Sequence, residues 1–199
     1  MEANDQRIIN NELTLEAQKS VKHNAWNSIY EFAELIVGAI CLMLFLTSFI
    51  FRTADVDGDS MNPTLFHNEK LVVLINNNVF GKIKKGDIVV VNQPNLFNES
   101  IIKRVIGEEG DEVNIDFEKG EVWVNGILQE EDYVNTPTNR FEGVEFPVTV
   151  PKGCVFVLGD NRNYSSDSRY PGIGMIDKRY INAKAVFRYQ PLKRLGRVK

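Results

Sequence analysis

Residues 101–126 read Ile-Ile-Lys-Arg-Val-Ile-Gly-Glu-Glu-Gly-Asp-Glu-Val-Asn-Ile-Asp-Phe-Glu-Lys-Gly-Glu-Val-Trp-Val-Asn-Gly. Three runs rich in β-branched residues lie in this stretch, Ile101–Ile106, Glu112–Phe117 and Glu121–Val124, each bounded by turn residues. Lys119-Gly120 reads as a tight hairpin and Asn125-Gly126 as a second turn, because Gly and Asn accept the positive φ that such turns require. Working outward, Leu71–Ile75, Asp87–Val91, Cys154–Leu158 and Ala183–Tyr189 are further runs of the same kind. No helical pattern separates consecutive runs, so parallel βαβ units are excluded and the alternation predicts a mainly β, antiparallel body. No internal repeat or low-complexity linker interrupts it.

Upstream lies a segment of different character. Ile36–Phe51 is 16 residues without a charge, extended by Phe32, Ala33 and Leu35 around Glu34. A bilayer core needs roughly 20 apolar residues, so the run spans one if it begins near Trp26 to Phe32, with Trp26 and Tyr30 at one interface and Arg52 at the other. A buried core helix is the alternative for an apolar length this short. Some 30 mainly polar residues precede the run, which fits a cleaved signal peptide poorly. The expected organisation is a tail over 1–29, an anchor helix over 30–51 and a folded β-rich part over 52–199. Arg7, Lys19 and Lys22 precede the span, whereas Asp55, Asp57 and Asp59 follow Arg52 before the next base, Lys70. The positive-inside rule therefore favours a cytoplasmic N-terminus and an extracytoplasmic body.

The chain has 23 Lys and Arg against 27 Asp and Glu, a net charge of −4, which argues against nucleic acid as a partner. Two Cys and two His limit the chemistry further. Cys41 lies in the apolar run and Cys154 in a β-rich run, so no zinc cluster or disulfide is expected, and no cofactor is implied. A Ser-His-Asp site needs a His beside its nucleophile; His23 falls on the far side of the membrane, leaving only His67. Any chemistry then comes from Ser, Lys, Asp, Glu or Tyr.

Three segments could carry it. Gly58-Asp59-Ser60-Met61-Asn62-Pro63-Thr64 puts a Ser in a turn-forming context eight residues beyond the apolar run, where an ordinary hydrogen-bonding turn Ser is the plain alternative. In Ile101–Gly107, alternation sets Lys103 in a row with Ile101 and Val105, and Arg104 in a row with Ile102 and Ile106, so one base must face the interior. A buried Lys can lose its proton and act as a base, whereas Arg cannot. A strand-edge Lys whose amine reaches water is the competing reading. Gly159–Arg169 concentrates Asp160, Arg162, Ser165, Ser166, Asp167, Ser168 and Arg169, which suits an ordered network of carboxylates and guanidinium forks as well as a solvated loop.

In order and spacing, these segments resemble the boxes of bacterial type I signal peptidases. The matching residues are Gly58-Asp59-Ser60-Met61-x-Pro63-Thr64-Leu65, Gly86-Asp87-Ile88-Val89, Lys103–Gly107 followed by Gly110-Asp111, and Gly159-Asp160-Asn161-Arg162 followed by Ser165-x-Asp167-Ser168-Arg169. The resemblance implies a signal-peptidase-like antiparallel β catalytic domain on one N-terminal transmembrane helix. It implies Ser60 as nucleophile, Lys103 as general base, Ser165 as a residue that helps position the lysine amine, and Asp167, Arg169 and Arg104 as supports, with Met61 near the substrate pocket. Gly58 stands where some members carry a hydroxyl that helps bind the oxyanion, which leaves the Ser60 backbone N–H as the principal donor. Glu109-Gly110-Asp111 replaces a frequent Pro-Gly-Asp. Only 47 residues, 112–158, separate the lysine box from the last, close to the compact Gram-positive members.

The implied partners are signal peptides of exported preproteins, with small side chains at and two residues before the cut, and membrane lipid. The competing readings are a relative dedicated to one precursor and a catalytically silent, membrane-tethered peptide-binding domain.

Overall fold

The computed structural model describes residues 29–75, 81–94 and 100–198. The expected N-terminal tail, with His23 and Trp26, lies almost wholly outside them. The chain divides into two compact units, one ending at Thr47 and one beginning at Ser48.

The described part of the first unit lies within a helix, α1 (Ile29–Phe49), 21 residues long, whose last two residues belong to the second unit. At 1.5 Å per residue it measures about 31 Å, enough to cross a bilayer core. Its residues are exposed, with only Leu46 half-buried, so it is not the core helix that the short apolar run also allowed. The helix stops two residues before the expected end at Phe51. The Ile50 carbonyl accepts from Ile75 N–H at 3.1 Å, and Phe51 pairs with Leu74. Strand pairing claims the backbone there, which the hydrophobicity of the run gives no sign of.

The second unit contains β1 (Phe51–Asp55), β2 (Lys70–Leu74), β3 (Ile88–Val91), β4 (Ile101–Gly107), β5 (Glu112–Asp116), β6 (Glu121–Val124), β7 (Ile127–Leu128), β8 (Val148–Thr149), β9 (Cys154–Leu158), β10 (Ile176–Asp177), β11 (Ile181–Gln190) and β12 (Gly196–Arg197). One sheet runs β1-β2-β11-β3-β4-β9-β10, with β12 added beside β11, and a second runs β7-β6-β5-β8. Every pairing is antiparallel. Both expected turns are present. Gly120, at φ +73°, closes the β5–β6 turn with its N–H on the Asp116 carbonyl, and Asn125-Gly126, at φ +53° and +73°, joins β6 to β7. Two positive φ values in a two-residue loop match the twist of antiparallel strands.

Strand β4 sits between β3 and β9, with Val89 opposite Lys103 and Leu158 opposite Arg104. Sequence alternation asks for one buried face, but both are buried from Lys103 to Gly107. Val105 packs with Val89, Val91 and Val157, while Ile106 packs with Val113 and Ile115 of the second sheet. Covering by the second sheet is what turns a half-exposed strand into a fully buried one, and it places Lys103 and Arg104 deep in the body.

Candidate active site

The segment from Val56 to Leu65 forms a compact turn whose apolar members anchor it. Val56, Met61 and Leu65 are buried against Leu71. Asn62 N–H donates to the Asp59 carbonyl at 3.1 Å and Leu65 N–H to the Met61 carbonyl at 2.9 Å. Gly58 has φ +82°, a conformation that costs a side-chain-bearing residue, two positions before Ser60. Met61, expected near the substrate pocket, lines the cleft beside Ser60 while most of its side chain lies in the core.

Lys103 reaches Ser60 from β4. Its Nζ lies 2.8 Å from Ser60 Oγ and donates to the Ile102 carbonyl at 3.1 Å. Only 4% of Lys103 is exposed. Burial, the largest influence, lowers its pKa to about 8, against the opposing fields of Asp167, Asp160 and Glu142. Desolvation wins because an ammonium loses more on leaving water than distant carboxylates return.

The third segment docks onto the turn. Asn161 N–H donates to the Ser60 carbonyl at 3.0 Å, and its side-chain amide donates to the Asp59 carbonyl at 3.0 Å. Gly159 is required by close approach: a Cβ there would fall 2.2 Å from Ser165 Oγ and 2.5 Å from the Ser60 carbonyl oxygen. That crowding puts the Ser165 hydroxyl beside the Ser60 backbone. It is buried and has no hydrogen-bond partner among the described residues, so the expected bond to the lysine amine is not formed in this arrangement.

Around these residues the charges are buried in pairs. Asp167 takes a two-point fork from Arg169, at 2.8 and 2.9 Å, and accepts from Gly159 N–H at 3.0 Å. Arg169 also binds the carbonyls of Arg162 and Arg140. Arg104, beside the lysine, forks onto Asp160 at 2.8 and 2.6 Å, donates to the Gly86 carbonyl at 3.0 Å and lies 3.9 Å over the Tyr133 ring. Arg162 forks onto Glu131 at 2.7 and 2.6 Å and donates to Thr138 Oγ1 at 2.8 Å. Glu142, with only 4% of its side chain exposed, has its pKa raised by burial and by Asp167. Sequence reasoning named Arg104, Asp167 and Arg169. It missed Glu131, Tyr133, Thr138 and Glu142, which lie in a region where no spacing marks them.

His67 does not reach the serine hydroxyl by any hydrogen bond among the described residues. Its Nδ1 accepts from Gly58 N–H at 3.1 Å and lies 3.3 Å from Asp57 Oδ1.

Ser60 and Lys103 face a cleft of about 600 Å³ lined by Asp55–Met61, Ser100–Ile102 and Tyr164. A hydroxyl in contact with a buried amine that titrates low, at the floor of an open cleft, is the arrangement of a base-activated nucleophile. The family and sequence comparisons agree with that class. The family described as signal peptidase, peptidase S26 matches residues 29–190. A signal peptidase I of Bacillus licheniformis is 35% identical over 86% of this chain and 94% of the relative, and signal peptidase I S of Bacillus subtilis is 35% identical over 89% and 97%. A probable signal peptidase I-2 of Synechocystis is 32% identical over 92% of this chain and 82% of the relative. A crystal structure of a signal peptidase I from Enterococcus faecalis aligns with 52% of this chain and 96% of its own, at 30% identity and a TM-score of 0.43. The chain belongs to the signal peptidase, peptidase S26 family, and is a serine endopeptidase.

Proposed function

We propose that this protein is a membrane-anchored endopeptidase that removes signal peptides from exported preproteins, with Ser60 as nucleophile and Lys103 as general base. The observation that carries the reading is the 2.8 Å contact between Lys103 Nζ and Ser60 Oγ in a buried setting. Neutral Lys103 takes the Ser60 proton as Oγ bonds to the scissile carbonyl carbon, then gives it to the departing amine. The acyl-enzyme left behind is opened by a water that Lys103 deprotonates in turn. The Ser60 backbone N–H has no acceptor among the described residues, which supports it as the oxyanion donor. Gly58 adds no second donor, since it lacks a hydroxyl and its N–H is spent on His67.

Ser165 is a candidate to position the lysine amine during the reaction: its buried, unpartnered hydroxyl supports a role that begins when substrate binds and the amine shifts. Asp167, Arg169, Asp160 and Arg104 hold the framework, and the two carboxylates among them offset the ammonium formed in mid-reaction. Helix α1 supports residence in the membrane among lipid, and the Lys/Arg bias supports a cytoplasmic N-terminus with the body outside. Detergent-solubilised protein incubated with a preprotein tests the assignment. Ser60→Ala and Lys103→Met are each expected to lower the rate by at least roughly a thousandfold. The wild-type rate is expected to rise with pH through about 8, as Lys103 loses its proton. Cutting by both variants at the wild-type rate sinks the dyad.

A further inference from the structure

Behind the Ser60 turn, three guanidinium groups converge on Thr64. Arg104 Nη2 lies 3.4 Å from its hydroxyl. Arg188 Nη1 donates to its carbonyl at 2.8 Å, and Arg194 Nη2 donates to the same carbonyl at 3.3 Å and to that of Pro63 at 3.0 Å. The last two come from the C-terminal end of the chain, and their charge is balanced by Glu69, which is 2% exposed. Glu69 Oε1 accepts from Arg194 at 2.5 Å, and Oε2 accepts from Arg188 and from Phe66 N–H, both at 3.2 Å. Arg188 Nε binds the Arg194 carbonyl at 2.6 Å, and the Arg194 guanidinium lies 4.3 Å over the Phe66 ring. The result is a closed set of contacts in which neither arginine moves without the other.

Position is what this arrangement controls. Thr64 follows Ser60 by one short turn, closed by the Leu65–Met61 hydrogen bond. Two arginines on consecutive carbonyls fix the orientation of the Pro63–Thr64 backbone, while Arg104 ties the Thr64 hydroxyl to the strand that carries Lys103. Thr64 is thus a common anchor for the turn of the nucleophile and the strand of the base. We infer that Glu69, Arg188 and Arg194 form a clamp that sets the distance between Ser60 and Lys103, so that the C-terminal segment 188–194 is a positioning element of the active site. The inference rests on the reading of Ser60 as nucleophile.

The test is steady-state cleavage of a preprotein by the full-length protein with Arg194→Gln, Arg194→Lys and Arg179→Gln. Lysine keeps a charge beside Glu69 but has no planar fork to hold two carbonyls as well. Arg179, in an exposed pair with Asp177, is the control for loss of an ion pair alone. Both Arg194 variants are expected to lose roughly ten- to a hundredfold in kcat, the cost of a nucleophile displaced by a fraction of an ångström to an ångström, with KM within about twofold. Arg194→Lys is expected to keep the near-ultraviolet circular dichroism of the wild type, and Arg179→Gln its kcat. Arg194 variants whose kcat per folded molecule stays within about twofold of wild type overturn the clamp. A Ser60→Ala protein that still cuts fails the dyad instead, so the two failures are distinguishable.

Discussion

The two segments that meet at Ser60 are held by opposite means. The 159–169 loop carries much of its own scaffold: Asp167 and Arg169, two residues apart, pair with each other, and the loop's own carbonyls at Arg162 and Ser165 accept further Arg169 bonds, with the Arg140 carbonyl taking another and with Asp160 and Arg162 tying the loop outward to Arg104 and Glu131. The 56–65 turn supplies few of its own restraints beyond apolar anchors and two short-range bonds; its backbone is gripped from Arg188, Arg194 and Asn161, and its Thr64 hydroxyl from Arg104. A self-held loop keeps its shape wherever it docks. An externally held turn takes its position from the assembled body, which ties the nucleophile to completion of the fold.

Stability should separate the two. Arg169 is fully buried, so Arg169→Ala leaves Asp167 as an unpaired buried charge and is expected to cost about 3–5 kcal/mol in urea unfolding. Arg194 is about one-third exposed and leaves Arg188 beside Glu69, so Arg194→Ala is expected to cost about 1.5–3 kcal/mol. The reverse order would break the comparison, because the turn would then depend more on its outside partner than the loop does on its own pair.

The same contrast decides what could be read from the sequence. Asp167 and Arg169 are near neighbours, and alternation together with the unchangeable charge of Arg made Lys103 the candidate base, so the pair and the candidate were legible, each beside a plain alternative. Arg162 finds Glu131 at a separation of 31 residues, and Glu69 finds Arg194 at 125, distances over which no periodicity speaks. The four- to ten-residue strands were mostly visible through their β-branched content. The two-residue strands β7, β8, β10 and β12 are too short to alternate, and β1 shares only Phe51 with the apolar run and has a single β-branched residue, Thr53, so neither hydrophobicity nor composition marks it. The silent Ser165 hydroxyl has a different cause: the resemblance implied a contact with the lysine, but the described geometry gives the amine to Ser60 and Ile102.

Lys103 lies between the two segments and carries a cost that pH can expose. Its folded pKa is about 8 against a reference of 10.5, so between these values the unfolded chain binds a proton that the folded chain lacks. Folding stability therefore rises with pH through that window, and the penalty is complete below pH 8. A shift of this size corresponds to about 3 kcal/mol, and the lysine's two hydrogen bonds offset part of it. Lys103→Met is expected to be more stable than wild type by about 1–2 kcal/mol at pH 7 and no more stable near pH 10.5. An equal difference at both pH values would show that burial of the charge is not what loads this residue, and would move the source of the strain to packing.

The smallest effect is expected at His67, an exposed contact of the turn that water can replace. Its imidazole is half-exposed and accepts from Gly58 N–H, two residues before the nucleophile, without bonding to Ser60. Truncation leaves Gly58 N–H to solvent at a cost of about 0.5–1.5 kcal/mol, because an exposed donor exchanges one partner for another. His67→Ala is expected to retain cleavage within a few-fold of wild type and the same pH dependence. Both outcomes follow if the proton goes to Lys103, since the histidine then only steadies the bend at Gly58. A complete loss of activity with near-ultraviolet circular dichroism intact would instead make the imidazole the base, and the buried lysine would become a structural member of the self-held network rather than the partner of the turn.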